Sequence, residues 1–390
     1  MSAEAGQAPA VILPGATLGL LGGGQLGRYF TMAARSAGYE VWVLDPDPAA
    51  PAAHFATRHL CAAYDEPTAL TLLGQHCAAV TTEFENAPAS ALEWLASEFA
   101  IAVRPSARAV AIAQDRIREK QFFVDAGLPV GPYVAVERVD QLPASLAAVR
   151  WPAIIKTARF GYDGKGQVRV ADAAQARAAF DADPALLPCV VEEQLALERE
   201  LSVILGRGVD GTVECFPVAE NHHRGGILDT SIAPARIPAA LAARARSLAA
   251  RIAAQLDYVG VLGVEFFVRP GGELLLNEIA PRPHNSGHYT LDAGSFSQFE
   301  QQVRLVCGFP PADPAPAPAA VMVNLLGDIW RDGAPDWAPL LADPRVRLHL
   351  YGKDAPRAGR KMGHFTVVGS EPAEVLERAL ALRAALGIAD

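Results

Sequence analysis

Two carboxylates on either side of a glycine turn are the residues of this sequence best suited to do chemistry. Glu265 lies in the apolar run 263–268, Glu278 lies in a second apolar run, and Gly271-Gly272 separates the two. Gly-Gly between apolar runs predicts a β-hairpin, and a two-residue turn would place Glu265 directly opposite Glu278 on one face. Like charges facing each other across paired strands repel unless a cation lies between them. The pattern predicts a divalent cation held by oxygens, and Mg²⁺ carrying phosphates is the usual occupant.

The segment 277–288 adds further groups of the kind found in active sites. Asn277 offers an amide oxygen, Arg282 is a permanent cation, and His284 and Asn285 follow closely. An amide oxygen suits a hard cation as a ligand. A solvent-exposed hairpin with scattered charges is the alternative interpretation, although the flanking residues are too apolar for a fully exposed ribbon.

A glycine-rich stretch near the middle of the chain has the composition of a phosphate-covering flap. Lys156 ends a predicted strand, and residues 160–167, FGYDGKGQ, follow before the next strand. Such a loop can bring backbone N–H groups and Lys165 onto phosphates. It is not a Walker A loop, because no helix and no Gly-Lys-Ser/Thr follow. A plain hairpin turn is the alternative, and the metal site predicted downstream favours nucleotide binding.

A third stretch is suited to a nucleoside. Residues 190–195, VVEEQL, are typical of a strand that ends in polar residues, and Glu200 follows a short loop later. Backbone groups there can meet an adenine edge and a carboxylate can meet ribose hydroxyls, although acidic residues after a strand are commonplace. The pair His222-His223 is more often structural or phosphate-facing at such a spacing.

The N-terminal region carries a fingerprint of phosphate binding at a helix start. Residues 22–27, GGGQLG, satisfy G-x-G-x-x-G between a predicted strand and a predicted helix, and Asp45 ends the next strand. Backbone N–H groups there can receive a phosphate, and the glycines do not decide between NAD and a sugar phosphate. A tight turn that needs small residues is the alternative. Glu83 follows a later strand, at the sheet edge where ligands bind in such folds.

A basic loop near the C-terminus is a candidate anion site. Lys353, Arg360 and Lys361 lie in it among glycine and proline, in a chain of net charge −9. Ordinary surface charge is the alternative, but basic residues concentrated in an acidic chain indicate an anion.

The bulk composition restricts the class of protein. The 390 residues suffice for two or three domains, and the charge of −9 argues against a nucleic-acid partner. The five cysteines contain no C-x-x-C pair, so neither a zinc site nor a disulfide framework is indicated. The first residues lack the pattern of a signal peptide, and no apolar run is long enough to span a bilayer. We therefore expect a cytoplasmic protein without a membrane partner.

The order of the predicted elements indicates an α/β region followed by an α+β region. Residues 16–103 alternate buried strands with amphipathic stretches, which is typical of a doubly wound domain. One helix is predicted over 109–126. Hairpins dominate 130–310, and a Pro/Ala-rich linker follows. The C-terminal unit has strand candidates near 321–326, 346–351 and 364–368 and a closing helix over 372–386.

The motifs occur in an order that resembles one family of enzymes. The chain is similar to the 5-(carboxyamino)imidazole ribonucleotide synthases, ATP-grasp enzymes of purine biosynthesis, in GQLGR, GYDGKGQ, Glu265, NEIAPR, HNSGH and GRKMGH. The resemblance covers about residues 17–385. The NSGH part best separates this family from the related formate-dependent glycinamide ribonucleotide transformylases.

The resemblance implies an ATP-grasp fold of mixed α/β and α+β class, with a Rossmann-like (pre-ATP-grasp) N-terminal domain and a small C-terminal domain. We expect these parts at 1–115 for the Rossmann-like domain, 116–310 for the ATP-grasp domain with a glycine-rich lid at about 130–195, 311–320 for the Pro/Ala linker, and 321–390 for the C-terminal domain.

The resemblance also implies a reaction. ATP, the co-substrate, phosphorylates bicarbonate to carboxyphosphate, which passes its carboxyl, by way of CO₂, to the amine of 5-aminoimidazole ribonucleotide. The products are ADP, phosphate and the carbamate. Mg²⁺ is the implied metal, with Mn²⁺ as the alternative, and a homodimer is expected from the family alone.

The resemblance assigns roles to residues of this sequence. The implied ATP-binding residues are Arg116, Lys156, Gly161, Tyr162, Asp163, Gly164, Lys165, Gly166, Gln167, Glu192, Glu193, Gln194, Leu195, Glu200, His223, Asn277 and Glu278. The implied ribonucleotide-binding residues are Gly24, Gln25, Leu26, Glu83, Tyr162, Lys353, Arg360 and Lys361. The implied metal ligands are Glu265 and Glu278. The implied catalytic residues are Arg282, His284, Asn285, Lys156 and Asp163.

Three rival functions stay open at this point. Another ATP-grasp ligase would act on a different carboxylate, such as formate. A nicotinamide-dependent oxidoreductase would use the N-terminal glycines and Asp45, but it leaves the segment 265–288 and the flap unexplained. A ribonucleotide-binding protein without catalysis would retain the fold, and the presence of Glu265, Glu278 and Arg282 speaks against it.

Overall fold

A computed structural model describes residues 11–161, 165–314 and 318–388 of the chain. The predicted site residues Tyr162, Asp163 and Gly164 lie outside the described residues. Within those ranges, no helix combines the length and the apolar character that crossing a bilayer requires.

The first sheet is parallel and belongs to the N-terminal region. Its strands are β1 (Thr17–Leu21), β2 (Glu40–Leu44), β3 (Arg58–Leu60), β4 (Ala79–Thr82) and β5 (Ala102–Val103). The accompanying helices are α1 (Gln25–Ser36), α2 (Pro67–His76), α3 (Ala89–Phe99) and α4 (Ala107–Ala113). The strand order β3-β2-β1-β4-β5 confirms the predicted doubly wound fold. Strands β2 and β3 are added on one side of β1, and β4 and β5 on its other side, so the switch point lies between β1 and β4. Ligands of open α/β sheets bind at such a switch point.

The helix predicted over 109–126 proves to be two helices. Asp115 lies between α4 and α5 (Arg116–Asp125), and its carboxylate accepts from the N–H groups of Ile117 at 3.0 Å and Arg118 at 3.3 Å. The prediction of one continuous helix is therefore wrong, because an N-cap aspartate starts a new helix there. The second helix carries Arg116 and Lys120 one turn apart on one face.

The second sheet is small and antiparallel. Its strands are β6 (Tyr133–Val136), β7 (Ala153–Thr157), β8 (Gln167–Val170) and β9 (Cys189–Glu193), in the order β6-β9-β7-β8. The helices α6 (Leu142–Ala148) and α7 (Ala173–Ala182) belong to the same region. The pairing of β7 with β8 confirms the predicted hairpin on either side of the glycine flap.

The third sheet is the largest of the described part of the chain. Its strands are β10 (Arg199–Arg207), β11 (Val213–Cys215), β12 (Ala219–Arg224), β13 (Ile227–Ala233), β14 (Gly260–Arg269), β15 (Glu273–Ala280), β16 (Ala319–Leu326), β17 (Val346–Leu350) and β18 (Lys361–Gly369). The order is β15-β14-β10-β12-β13-β16-β18-β17, with β11 beside β10. The predicted C-terminal strands therefore extend this sheet from β13 and form no sheet of their own among the described residues.

The remaining helices are α8 (Ala239–Gln255), α9 (Gln298–Val306), α10 (Ala338–Leu341) and α11 (Pro372–Ala385). Helix α8 shares a hydrophobic cluster with one face of β14, which contributes Val264, Phe266 and Val268. Because side chains alternate along a strand, Glu265 and Phe267 face the opposite side. That opposite side of β14 is the floor of the candidate site.

Candidate active site

The hairpin β14–β15 brings the two predicted metal ligands together, but its turn and its strand pairing differ from the predicted ones. Its turn contains three residues, 270–272, and a β-bulge beyond it places Glu265 opposite both Asn277 and Glu278. The prediction of a two-residue turn with direct pairing is therefore wrong, and the bulge is what restores the approach of the two carboxylates. Gly271 and Gly272 have φ values of 90° and 80°, a backbone conformation that favours glycine.

The Glu265 carboxylate has a side-chain neighbour at each oxygen. Asn277 Nδ2 donates to Glu265 Oε2 at 3.1 Å, and His284 Nε2 lies 3.4 Å from Glu265 Oε1. Burial raises the pKa of Glu265, and the nearby charge of Glu278 raises it further. An additional cation would therefore stabilise the ionised form of this carboxylate.

The Glu278 carboxylate already has a permanent cation beside it. Arg116 Nη1 donates to Glu278 Oε2 at 2.7 Å, and Arg116 Nη2 donates to the Gly161 carbonyl at 3.2 Å. Burial opposes the charged form of Glu278, but the Arg116 guanidinium outweighs burial and lowers the pKa. Glu278 is therefore ionised at neutral pH, whereas Glu265 lacks a comparable guanidinium among its described contacts.

A cavity of about 600 Å³ lies between the small sheet and the Phe267 face of β14. Its charged side consists of Glu192, Lys156 and Lys120, with Lys156 Nζ 2.8 Å and Lys120 Nζ 3.3 Å from the Glu192 carboxylate. Burial opposes the charge on Glu192, but the two lysines lower its pKa to about 2. Ile154 and Phe267 supply apolar walls, and a concave site of this composition suits a small organic ligand.

A second cavity, of about 510 Å³, adjoins the Glu278 carboxylate. Arg116, Glu278, Arg282 and His284 line it, together with Glu85. Arg282 Nε is bonded to the Glu85 carboxylate; burial disfavours the charged guanidinium, but Glu85 more than offsets this and raises the Arg282 pKa. Burial, reinforced by the charge of Arg282, lowers the pKa of His284 to about 3. The cavity thus places a fixed cation and a neutral imidazole beside the carboxylates.

The described residues of the glycine flap are hydrogen-bonded to strand β7, which carries Lys156 of the first cavity. Gln167 pairs with Lys156 across β8 and β7, and the Thr157 N–H donates to the Gly166 carbonyl at 2.9 Å. Gly166 has a φ of 67°, and a Cβ there would lie 2.3 Å from Thr157 Oγ1, so glycine is required. Lys165 is exposed beside it.

The predicted nucleoside segment lines the first cavity at the end of β9. Glu193, Gln194 and Leu195 all contribute to its wall. Glu200 and His223 lie on the neighbouring strands β10 and β12, with His223 Nδ1 2.8 Å from Glu200 Oε2. Burial opposes the charged form of His223, but the hydrogen bond to Glu200 and the negative charges of Glu265 and Glu200 together outweigh it and raise the pKa to about 8.

The N-terminal glycine loop is occupied by carboxylates of the protein itself. The Gly23 N–H donates to Asp45 at 2.6 Å, and the N–H groups of Gly24 and Gly27 donate to Glu83 at 2.7 and 2.9 Å. Asp45 and Glu83 therefore occupy the N–H groups of these three glycines, and the binding of a substrate phosphate at this loop stays a prediction. Burial raises the pKa of Glu83 to about 7.

The same contacts remove support for the nicotinamide alternative. Asp45 also accepts a hydrogen bond from the Tyr64 hydroxyl at 2.8 Å, so its carboxylate is directed into the protein and away from a ribose. Leu26 is only 7 % exposed and packs with Tyr29 and Phe299. Its side chain is therefore part of the core.

Gln25 links three parts of the chain. Lys353 Nζ donates to Gln25 Oε1 at 2.7 Å, and Gln25 Nε2 donates to Asn285 Oδ1 at 3.5 Å. Lys353 Nζ also donates to the Lys361 carbonyl at 2.8 Å. Arg360 lies on the exposed part of the same loop, where it donates to a backbone carbonyl. The structure therefore joins Gln25, Asn285 and Lys353, and it leaves Arg360 at the rim.

Two buried residues of α5 escaped the sequence analysis. Lys120 Nζ donates to the Asn277 carbonyl at 3.0 Å as well as pairing with Glu192, and Glu119 accepts from the Ile279 N–H at 2.7 Å. A signal was present, since Lys120 follows Arg116 by four residues and so shares its helix face. Ser202 and Ser286, which contact each other at 2.7 Å, also escaped, and their separation of 84 residues left no signal.

These features define an ATP-grasp enzyme. A small antiparallel sheet with a lysine in its floor faces a larger sheet that carries two partly buried glutamates and a buried asparagine, and a cavity lies between the two sheets.

Comparison with known proteins agrees with this class. Three family models match: the ribonucleotide synthetase preATP-grasp domain at residues 15–114, the ATP-grasp domain at 121–299, and the phosphoribosylaminoimidazole carboxylase C-terminal domain at 320–378. The N5-carboxyaminoimidazole ribonucleotide synthase of Brucella melitensis is 47 % identical over 358 residues, which cover 90 % of this chain and 96 % of the relative.

Solved structures are similar over the same extent. An ADP complex of an N5-carboxyaminoimidazole ribonucleotide synthetase has a TM-score of 0.89 at 39 % identity and covers 96 % of this chain and 98 % of its own. The Aspergillus clavatus enzyme in complex with ADP and 5-aminoimidazole ribonucleotide has a TM-score of 0.86 at 30 % identity and covers 95 % and 98 %.

The chain belongs to the N5-carboxyaminoimidazole ribonucleotide synthase family. It is accordingly an ATP-dependent ligase of purine biosynthesis, with the ATP-grasp fold, a preATP-grasp domain and the family's C-terminal domain.

Proposed function

We propose that this chain carboxylates the amine of 5-aminoimidazole ribonucleotide with bicarbonate, at the expense of ATP. The γ-phosphoryl group of ATP passes to a bicarbonate oxygen, and ADP leaves. Carboxyphosphate then releases phosphate and CO₂, and the amine lone pair attacks CO₂ and loses a proton to give the carbamate. The observation that carries the proposal is the cluster of Glu265, Asn277 and Glu278 on the hairpin β14–β15, where Glu278 lines the Arg282 cavity and Phe267 and Leu276 line the other cavity.

Glu265 and Glu278 are the proposed ligands of Mg²⁺, with Mn²⁺ as the alternative. Their oxygens suit a hard cation, and the raised pKa of Glu265 supports the need for one. When bound, the metal supplies positive charge to the oxygens of the transferred phosphoryl group. Asn277 orients Glu265 through its 3.1 Å hydrogen bond.

The proposed ATP site is the cavity over Phe267. Lys156 is available to the phosphates because Lys120 also neutralises Glu192, so that Lys156 can turn without leaving the carboxylate unpaired. Since Glu192 is held by these lysines, Glu200 is the better candidate for the ribose. The wall of Glu193, Gln194 and Leu195 would receive the adenine. The flap residues Gly161 and 164–167 would cover the phosphates and exclude water from carboxyphosphate.

The proposed bicarbonate end is the second cavity. Arg282 is held by Glu85 and keeps its charge, so it can stabilise the anionic intermediate. His284 is neutral and can donate or accept a proton without carrying a charge. Asn285, beside Gln25, is placed between this end and the ribonucleotide side. Asp163 remains a proposed catalytic residue by family resemblance alone.

The proposed ribonucleotide site lies at the switch point of the first sheet. Gln25 and Lys353 already meet there, and Lys361 and Arg360 lie on the same loop as Lys353. Glu83 supports the Gly24–Leu26 segment through the backbone, and Tyr162 remains a proposed contact of the substrate by family resemblance alone.

Several wider features are proposed on family grounds. The boundaries 1–115, 116–310 with its lid at about 130–195, 311–320 and 321–390 agree in order with the matched models. A homodimer and a cytoplasmic location are typical of this biosynthetic family.

The test is ADP release with ATP and Mg²⁺, with bicarbonate and the ribonucleotide added separately and together. We expect release to require bicarbonate and to rise strongly with the ribonucleotide, and ¹⁴C from bicarbonate to appear in an acid-labile product. Release that requires formate instead would refute the bicarbonate assignment. Absence of ATP turnover under every condition would refute the proposal as a whole.

A further inference from the structure

The backbone of His284 is fixed by two hydrogen bonds with one buried side chain. Gln298 accepts from the His284 N–H at 2.9 Å and donates to the His284 carbonyl at 2.8 Å, and Gln298 is fully buried. On the other side, a Cβ at Gly263 would lie 2.8 Å from the His284 Cβ. Gly263 thus leaves the space into which the histidine fits. Gln298 and Gly263 together set the position of the His284 ring.

A separate contact determines which ring nitrogen of His284 carries the proton. His284 Nδ1 faces the Ser286 N–H at 3.4 Å and the Ser286 hydroxyl at 2.8 Å. A backbone N–H can only donate, so Nδ1 must act as the acceptor and carry no proton. In a neutral imidazole the proton then resides on Nε2.

Ser202 extends this contact into the sheet. Its hydroxyl lies 2.7 Å from the Ser286 hydroxyl, and both serines are fully buried. Ser202 is also the register partner of Glu265 in the pairing of β10 with β14, so the two side chains lie on the same face. When Ser202 donates to Ser286, the Ser286 proton is directed at His284 Nδ1.

We propose that Ser202 and Ser286 are positioning residues that hold His284 in the tautomer with its proton on Nε2. That N–H faces Glu265 Oε1 at 3.4 Å, while Asn277 Nδ2 faces the other oxygen at 3.1 Å. Each oxygen of Glu265 then has one donor. The opposite tautomer would set a nitrogen lone pair against a carboxylate oxygen and turn the carboxylate.

The kinetic part of this inference rests on the proposed function, whereas the tautomer itself does not. The tautomer is measured in the resting protein, without ATP or ribonucleotide, by ¹⁵N–¹H spectra of protein labelled at histidine. The chain has nine histidines, and a His284→Gln variant identifies the signal. We expect an unprotonated Nδ1 and a protonated Nε2. A proton on Nδ1 in the wild-type chain would overturn the proposal even if the ligase activity is present.

The variants test whether the serines cause this state. Ser286→Ala should populate the second tautomer and lower kcat by roughly 10- to 100-fold, as expected for a group that orients a neighbour of a ligand, with the KM for ATP unchanged. Ser202→Ala should have a smaller effect in the same direction, and Ser202→Thr should restore the wild-type values because it retains the hydroxyl. A Ser286→Ala variant with the wild-type spectrum or the wild-type kcat would contradict the proposal.

Ser231→Ala is the matched control. Ser231 is fully buried on β13 and its hydroxyl donates to Asn221 at 2.8 Å, so its replacement removes a comparable hydrogen bond. We expect it to leave the His284 signal and kcat unchanged. If Ser231→Ala lowers kcat as much as Ser286→Ala does, the effect is general destabilisation and the positioning role falls.

Discussion

Both sides of the cleft carry glutamate, but they balance its charge in opposite ways. On the side of the small sheet, Glu192 has Lys156 and Lys120 within 3.3 Å. On the side of the β14–β15 hairpin, Glu265 and Glu278 lie opposite each other and Arg116 bonds Glu278. The first side carries its own cations, and the second retains negative charge.

This difference indicates what each side receives. A glutamate paired with lysines needs nothing from solution, and its lysines are available to an anion such as a phosphate. Two carboxylates with one guanidinium favour a further cation. In the proposed function ATP with Mg²⁺ would supply both, so the nucleotide and the metal would enter the cleft together and in one orientation.

The largest effect is expected from removing the charge of Glu278. Glu278→Gln should lower kcat at least ~1000-fold at saturating Mg²⁺, because a metal ligand at the transferred phosphoryl group is lost. The measurement is steady-state ADP release, with circular dichroism as the check that the fold is intact. Glu273→Gln, on the same strand but exposed and paired with Arg269, is the control and should match the wild type. Wild-type turnover in Glu278→Gln would remove the metal assignment.

The second effect concerns the lysine side of the comparison. Lys156→Met should lower kcat/KM for ATP about 100-fold and should destabilise the fold by on the order of 3 kcal/mol, because it breaks a buried pair. The double variant Lys156→Met, Glu192→Met leaves the buried Lys120 without its carboxylate, so it should regain neither stability in urea unfolding nor activity. Recovery of activity in the double variant would mean that Lys156 only neutralises Glu192.

A pH effect should distinguish the two sides. The folded-state pKa of Glu265 is raised to about 7, so the stability associated with its protonated form is present at low pH and is lost as pH rises through that value. Mg²⁺ competes with the proton, so the rise in Tm caused by Mg²⁺ should grow from about pH 5.5 to about pH 8. A Glu265→Gln variant should show a Tm shift without this dependence. An equal Mg²⁺ shift at every pH in the wild type would contradict the assignment.

The smallest effect is expected at the ribonucleotide side. Lys353→Met removes one partly buried cation and its bond to Gln25, and we expect the KM for the ribonucleotide to rise about 10-fold while the KM for ATP stays the same. Arg357→Met, in the same basic loop, is the control with wild-type kinetics. An equal rise in both KM values would place Lys353 outside the ribonucleotide site.

Local features of the fold and the site could be predicted from the sequence. The strands of the first sheet are buried on both faces and therefore form continuous apolar runs around Leu20 and Val80. Glu265 is the charged residue of the otherwise apolar run 263–268, and Gly271-Gly272 marks the turn that follows. These signals lie within a few residues of one another.

Features that depend on pairing could not be predicted in the same way. The β-bulge opposite Glu265 adds one residue to one strand, and a count from the turn does not reveal it. The glycine loop has the spacing of a phosphate site, but Asp45 and Glu83 fill it from distant positions in the chain. A glycine pattern reports that N–H groups are exposed at a helix start, and only the fold shows which anion they bind.

The most direct test of the charge comparison is a crystal of the chain with Mn²⁺ and a non-hydrolysable ATP analogue, examined by anomalous diffraction. We expect a manganese peak roughly 2.1 Å from an oxygen of both Glu265 and Glu278, with the phosphates toward Lys156. A peak bound to the phosphates without either carboxylate, or a nucleotide whose phosphates lie away from the hairpin, would contradict the account.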